Sequence, residues 1–207
     1  MPIIVSIGRM ATQSRDRAEP LMALRVFVTV GTHEQPFARL LVAAKVGAQT
    51  LEGSEWVVQY GVGAFDSDRM IRAEPYFAHE EIQAWNGWAD IVLSHASPGA
   101  VFDALGGGAQ PIVLPRARVH GEHVNNHQVR FAVQLKALGL AQVAHSEADV
   151  TALLRATALE GRVERRSRLA AINAASHDRT SAFVVGFGQV IEGLRPAGAA
   201  IGKDQVF

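Results

Sequence analysis

At 207 residues the chain has the length of one domain, with or without tails, and can bury a substantial core. Lysine plus arginine and aspartate plus glutamate stand at 20 each, so no global charge bias points to nucleic acid or an anionic surface. There is no cysteine, which excludes disulfides, thiolate metal sites and cysteine nucleophiles and fits a reducing cytosol.

The first stretch, MPIIVSIGRMATQSRDRAEP, lacks the basic-then-apolar order of a secretory signal, and no apolar run approaches the ~18 residues of a membrane span. Met22 directly precedes the first strand-like run. Residues 1–21 are therefore expected to be a disordered leader or a mis-assigned start, residues 22–194 the folded domain, and residues 195–207 a flexible tail.

RVFVTVG, Arg25 to Gly31, is short, β-branched and closed by glycine, as a buried strand should be. Pro36 suits a first helical position, and Phe37, Leu40, Leu41 and Ala44 follow at helical spacing, predicting a helix over Pro36 to Thr50. EWVVQYG from Glu55 is a second strand, with a weaker one between Met70 and Tyr76. A helix over His79 to Gly87 leads into the strand ADIVLSH, and Ser97 with Pro98 caps the next helix, PGAVFDAL. QPIVLP, Gln110 to Pro115, is another buried strand. A helix then starts near Asn125, with Phe131, Leu135 and Leu138 on one stripe and Gly139 as its stop. A short strand LAQVA, helices over Ala148 to Leu159 and Arg162 to Asn173, and a strongly apolar helix over Ser181 to Leu194 complete the chain.

Strand and helix in alternation predict an α/β fold: a Rossmann-like parallel sheet with helices on both faces. In such sheets the ligand lies beyond the carboxyl ends of the strands. That places the candidate site in the loops after Gly31, Gly61, His95 and Pro115, which hold most of the chain's unusual polar residues.

Each loop admits more than one reading. In PRARVHGEHVNNHQ, His120, His123 and His127 suggest zinc, yet Glu122 precedes His123 and does not lie between helical histidines. Pro115, Gly121 and a cap at Asn125 put the first two in a loop. The other readings are a solvated capping loop and recognition of ligand hydroxyls or phosphates, for which Asn, His, Gln and Arg are suited. Ser97-Pro98-Gly99 at a helix start favours an anion, although it is also ordinary capping. Asp103, a turn inside, either complements the helix dipole or faces a ligand. Thr32 and His33 either cap the helix at Pro36 or face the cleft. Gly106, Gly107 and Gly108 follow a helix and read as its stop. Asp66-Ser67-Asp68 has the form of a metal-binding Asp-x-Asp but falls in a polar turn.

FVTVGTHEQPFARL, ADIVLSHASPGAVFDAL, PIVLPR and GEHVNNHQVRFA occur in order and at separations that resemble the glycosyltransferase family 28 C-terminal domain. The likeness is to its short free-standing form, the bacterial polysaccharide glycosyltransferases of the EpsF and PssE type, and covers about Arg25 to Gly139. It implies the C-terminal, donor-binding half of a GT-B glycosyltransferase, with the acceptor half supplied by a membrane-associated subunit of the PssD type. The implied reaction is an inverting, metal-independent transfer from a UDP-sugar to a lipid-linked acceptor, with no cofactor. The implied location is cytoplasmic, at the inner face of the membrane.

Carried over by position, the resemblance puts Gly31, Thr32 and His33 near the diphosphate, with His33 a candidate general base. It puts the backbone at Tyr76 and Phe77 against the uracil, and makes His95, Ser97 and Gly99 the phosphate loop. Asp103 takes the ribose position, Asn126, His127 and Gln128 the sugar hydroxyls, and Arg116 and Glu122 shape the loop around the donor. Three departures stand out. Ala96 and Ser97 replace glycines of the usual phosphate loop, where they would narrow the approach. Asp103 is a methylene shorter than the usual glutamate, and Asn125 and Asn126 stand where an aspartate is frequent. The alternatives are a non-catalytic sugar-nucleotide-binding subunit and another GT-B-like enzyme such as an epimerase, for which the chain is short.

Overall fold

The computed structural model describes residues 23–63, 65, 68–172 and 174–175. The predicted leader, the tail and the helix over Ser181 to Leu194 lie outside the described residues. Within them the order is β1 (Arg25–Thr29), α1 (Ala38–Thr50), β2 (Glu55–Gln59), β3 (Arg72–Glu74), α2 (His79–Trp88), β4 (Ile91–Ser94), α3 (Pro98–Gly106), β5 (Gln110–Val113), a 3-10 turn (Arg118–His120), α4 (His127–Ala137), β6 (Gln142–Val143) and α5 (Glu147–Leu159). Residues 162–172 are again helical.

The strands form one six-stranded sheet in the order β3-β2-β1-β4-β5-β6, every pair parallel. The pleat divides the apolar side chains by parity. Val26, Val28, Trp56, Val58, Ile91, Leu93 and Ile112 face Leu40, Ala43 and Ala44 of α1 and Val150 and Leu154 of α5. Phe27, Val57 and Val92 face the opposite way, toward Ile82 and Trp85 of α2 and Ala104 of α3. The helix after β1 and the helix after β4 thus lie on opposite faces. Between those two adjacent strands the winding reverses, which opens a crevice at their carboxyl ends.

Local chemistry explains most boundaries. Ser97 Oγ accepts from Ala100 N at 3.3 Å and Pro98 fills the first helical position of α3. Ser146 and Asp149 close a reciprocal capping box on α5, at 3.1 Å in both directions. α1 starts at Ala38, later than Pro36, because Arg116 holds the Gln35 and Pro36 carbonyls outside the helix. Leu138 is not on the inner stripe of α4 as the spacing predicts. It caps the helix and is exposed, while Gln128, Ala132 and Leu135 face in.

Helices α2 and α3 meet backbone to backbone at Gly107, where a Cβ would lie 2.5 Å from the carbonyl carbon and oxygen of Asn86. At the amino ends of the strands the carboxylate of Asp90, fully buried, collects three arginines. Arg162 bonds it at 2.6 Å, Arg165 lies at 3.5 Å and Arg25 at 3.6 Å, and the Arg25 N–H adds a bond of 3.0 Å. This cluster staples the 162–172 helix beneath the sheet.

Candidate functional site

Two adjoining cavities occupy the crevice at the β1–β4 reversal. The first, of about 300 Å³, is lined by Thr29, Gly31, Thr32 and Gln59 from the strand ends, Ile82 and Asn86 from α2, and His95, Ser97, Gly99, Ala100 and Asp103 from the β4–α3 turn and α3. The second, of about 520 Å³, is lined by Thr32, His33, Glu34, Gln35, His95, Val124 and Gln128. Thr32 and His95 belong to both and form the ridge between them.

Three features hold the rim. Gly31 turns at φ +76°, and a Cβ there would lie 2.6 Å from His95 Cε1, so only glycine lets the β1 loop cross the imidazole. Buried Gln59 ties three loops together: its amide donates to Thr29 Oγ1 at 3.1 Å and to the Gly31 carbonyl at 3.4 Å, and its Oε1 accepts from Phe77 N at 3.1 Å. Arg116, with no solvent exposure, donates to the carbonyls of Val30, Gln35, Pro36 and Glu122 at 2.8–3.3 Å and lies over the Phe37 ring at 4.5 Å. The loop after β5 is fixed again by Glu122, which takes Arg39 through both carboxylate oxygens at 2.7 Å and the Ala117 N–H at 3.1 Å.

Arg116 donates to backbone carbonyls and interacts with the Glu122 carboxylate only through space, and its charge reaches His95. Burial first, and this guanidinium second, push His95 down to about 4, which leaves the ring neutral at pH 7. Burial, the neighbouring imidazoles and Arg116 also lower His123. The lining carries two acids, Glu34 and Asp103, and no lysine or arginine, so attraction for an anion has to come from the Arg116 guanidinium behind it and from backbone N–H groups.

Hydrogen bonds assign the other histidine tautomers. His33 Nδ1 accepts from Gln35 N at 3.2 Å, so the neutral ring carries its proton on Nε2 and offers a donor. His127 is the reverse. Asn125 Oδ1 takes both its backbone N–H and its Nδ1–H, leaving Nε2 as an acceptor. The rings of His33, His123 and His127 follow one another at 4.7 and 4.4 Å, the first pair tilted and the second edge to face. Among the described residues no group of three or more histidine, aspartate or glutamate side chains is arranged to hold a metal ion.

At the start of α3 the substituted loop has a clear consequence. Ala96 packs into the core with Val101 and Leu105, so its methyl does not narrow the crevice. Ser97 does line it, and its cap consumes Ala100 N while its carbonyl takes Val101 N. Pro98 has no N–H. The Gly99 N–H remains as the first-turn donor without a partner, with open space where a Cβ would sit.

The structure therefore brings together Gly31, Thr32, His33, His95, Ser97, Gly99, Asp103 and Gln128. Thr32 and His33 face the cavities and do not cap α1, whose N-cap is Phe37. Gln128 Oε1 accepts from Arg116 N at 3.1 Å, which leaves its NH₂ for the second cavity. Tyr76, Phe77, Arg116, Glu122, Asn126 and His127 do not line either cavity. Phe77 is buried against Phe27 and Trp85, with its N–H given to Gln59, and Tyr76 is half exposed. Asn126 Oδ1 accepts from Arg118 N at 2.9 Å. Sequence reasoning missed Thr29, Gln59, Ile82, Asn86 and the Arg39 partner of Glu122. A signal existed for two of these: Thr29 and Gln59 are polar residues that end otherwise apolar strands.

The family model for the glycosyltransferase family 28 C-terminal domain matches residues 25–180. The chain belongs to this family. Among curated proteins none matches it. Solved structures similar to this family 28 domain include a glycotransferase of kitacinnamycin, 22% identical over 82% of this chain and 44% of that one, with a TM-score of 0.55. A spinosyn rhamnosyltransferase complexed with thymidine diphosphate is 16% identical over 74% and 42%, with a TM-score of 0.50. The MurG protein of Acinetobacter baumannii is 14% identical over 73% and 50%, also at 0.50. The shared feature is the fold: a Rossmann-like sheet corresponding to the C-terminal half of a GT-B glycosyltransferase. The chain spans about half the length of the structures it matches.

Proposed function

We propose that this chain is the donor-binding wall of an inverting glycosyltransferase. The enzyme would transfer a hexose or N-acetylhexosamine from a UDP-sugar to a lipid-linked acceptor in polysaccharide synthesis, without a metal or other cofactor. The supporting observation is the pair of cavities at the β1–β4 reversal. The unpartnered Gly99 N–H and Asp103 border one, and the His33 donor and the Gln128 NH₂ border the other. A nucleoside diphosphate-sugar fits this order: nucleoside beside Asp103, diphosphate across the Thr32–His95 ridge, sugar toward Gln128. The thymidine diphosphate in the spinosyn rhamnosyltransferase supports the same class of ligand.

The acceptor hydroxyl attacks the anomeric carbon as the bond to the β-phosphate oxygen breaks, and UDP leaves with that electron pair. Negative charge grows on the leaving diphosphate, where amide dipoles, the His33 N–H and the Arg116 field are stabilising. With Nδ1 engaged by Gln35, His33 serves this role and not that of the base. The hydroxyl proton then goes to a base on the opposite wall. That wall comes from a membrane-associated subunit of the PssD type, which excludes water from the open crevice. Among the described residues no helix is long and apolar enough to cross a membrane, and the partner would bring this chain to the inner face of the cell membrane.

A single free N–H in the first turn of α3 also favours a second reading, a subunit that binds the sugar nucleotide without turning it over. Assay of the chain with the partner, UDP-sugars and lipid acceptor separates the two. The first reading requires transfer that Asp103→Ala and Gln128→Ala each reduce at least tenfold. Binding of UDP without transfer leaves the second, and no binding of any nucleoside diphosphate defeats both.

A further inference from the structure

The first cavity contains a polar group that neither the fold nor the resemblance accounts for. Asn86 projects from α2 beside Ile82, four residues earlier, and is 2% exposed. Its Nδ2 donates to the Ile82 carbonyl at 2.9 Å. A carbonyl can only accept, so this bond fixes the orientation of the amide. Oδ1 is left as a buried acceptor with no partner. Leaving such an atom unpaired is costly, so a site that keeps one fills it with a water or a ligand, and a ligand donor that takes the place of the water can be read there.

The surroundings define what would fill it. Asp103 on the facing helix is another acceptor, and Ile82 supplies an apolar wall against which a flat ring can lie. Gly107 keeps the backbones of α2 and the α3 end in contact at Asn86, which fixes where the side chain starts, and the Ile82 bond holds the amide. We infer that Asn86 reads the nucleoside of the donor, its Oδ1 accepting from the imide N–H of the base or from a ribose hydroxyl. The inference rests on the proposed donor-binding function and makes Asn86 a specificity-determining residue within it.

The test is calorimetry on the full chain with UDP, 3-methyl-UDP, 2′-deoxy-UDP and 3′-deoxy-UDP, for wild type and Asn86→Leu. One analogue should bind wild type about tenfold more weakly than UDP, as expected for a lost bond that leaves the buried acceptor empty. Asn86→Leu should bind UDP with a similar loss and should no longer distinguish that analogue from UDP. Loss on 3-methylation assigns the base; loss on deoxygenation assigns the sugar. Equal wild-type affinity for UDP and all three analogues would overturn the inference without any variant, and so guards against a misfolded leucine substitution. A variant that weakens UDP but still discriminates as wild type does would also overturn it, since Asn86 would then act only through packing. If wild type binds no nucleoside diphosphate, the donor-binding function itself fails.

Discussion

Buried arginines stand at both ends of this sheet, and they are satisfied in different ways. At the amino ends, Arg25, Arg162 and Arg165 surround the Asp90 carboxylate. At the carboxyl ends, Arg116 bonds only backbone carbonyls, and its nearest carboxylate, Glu122, spends its oxygens on Arg39 and Ala117 N. The first cluster binds its one acid directly, with Arg25 and Arg162 still partly open to solvent. The second places a guanidinium behind the crevice, where it adds to burial in depressing the titration of His95. One end is a staple; the other is a staple that also borders the candidate site.

Removing Asp90 breaks the first end alone. Asp90→Ala leaves three arginines beneath the sheet without their acid, and loss of one partner from a buried ionic cluster costs about 3–5 kcal/mol. Urea unfolding should show that loss, while UDP affinity of the folded fraction stays within twofold. Arg116→Met should break the comparison at the other end. Four carbonyls lose their donor, at a cost of about 3 kcal/mol overall after partial rehydration, and UDP binding should weaken at the same time. The His95 ring should titrate higher in this variant by NMR, because a cation that repels its protonated form has gone.

Acid should distinguish the two ends more gently. The folded pKa of His95, about 4, lies below the ordinary histidine value of 6.5, so the folded state favours the neutral ring. Its contribution to stability is complete above about pH 6.5 and is lost as pH falls through 4, by at most about 3 kcal/mol. Urea midpoints measured between pH 7 and 4.5 should fall in wild type and fall less in His95→Asn. An equal slope in both would show that the ring is not held neutral.

Much of this arrangement was legible in the sequence. The buried strands announce themselves as β-branched runs closed by polar or glycine residues, and alternation with helices implies a parallel sheet whose site lies at the strand ends. That rule alone reached Gly31, Thr32, His33, His95, Ser97 and Gly99. Periodicity assigns a residue to a face but not to a partner. Arg39 meets Glu122 across 83 positions, and Arg162 meets Asp90 across 72, through a chain path that no local pattern encodes. Asn86 was hidden for a related reason. An amide on a helix reads as surface until the neighbouring helix is in place, and that neighbour comes close only because residue 107 has no side chain. Tyr76 and Phe77 follow β3 as expected, yet the aromatic ring of Phe77 and its N–H are spent on the interior.

The contact at Gly107 has a further consequence for how the site can change. At that point main chain is pressed on main chain with no side chain between to repack, so the spacing of α2 and α3 beside Asn86 is set. A bulkier nucleobase cannot be accommodated by spreading these two elements. On the proposed reading, any broadening of donor choice has to come from the loops after β1 and β5, or from trimming Ile82 at the wall itself.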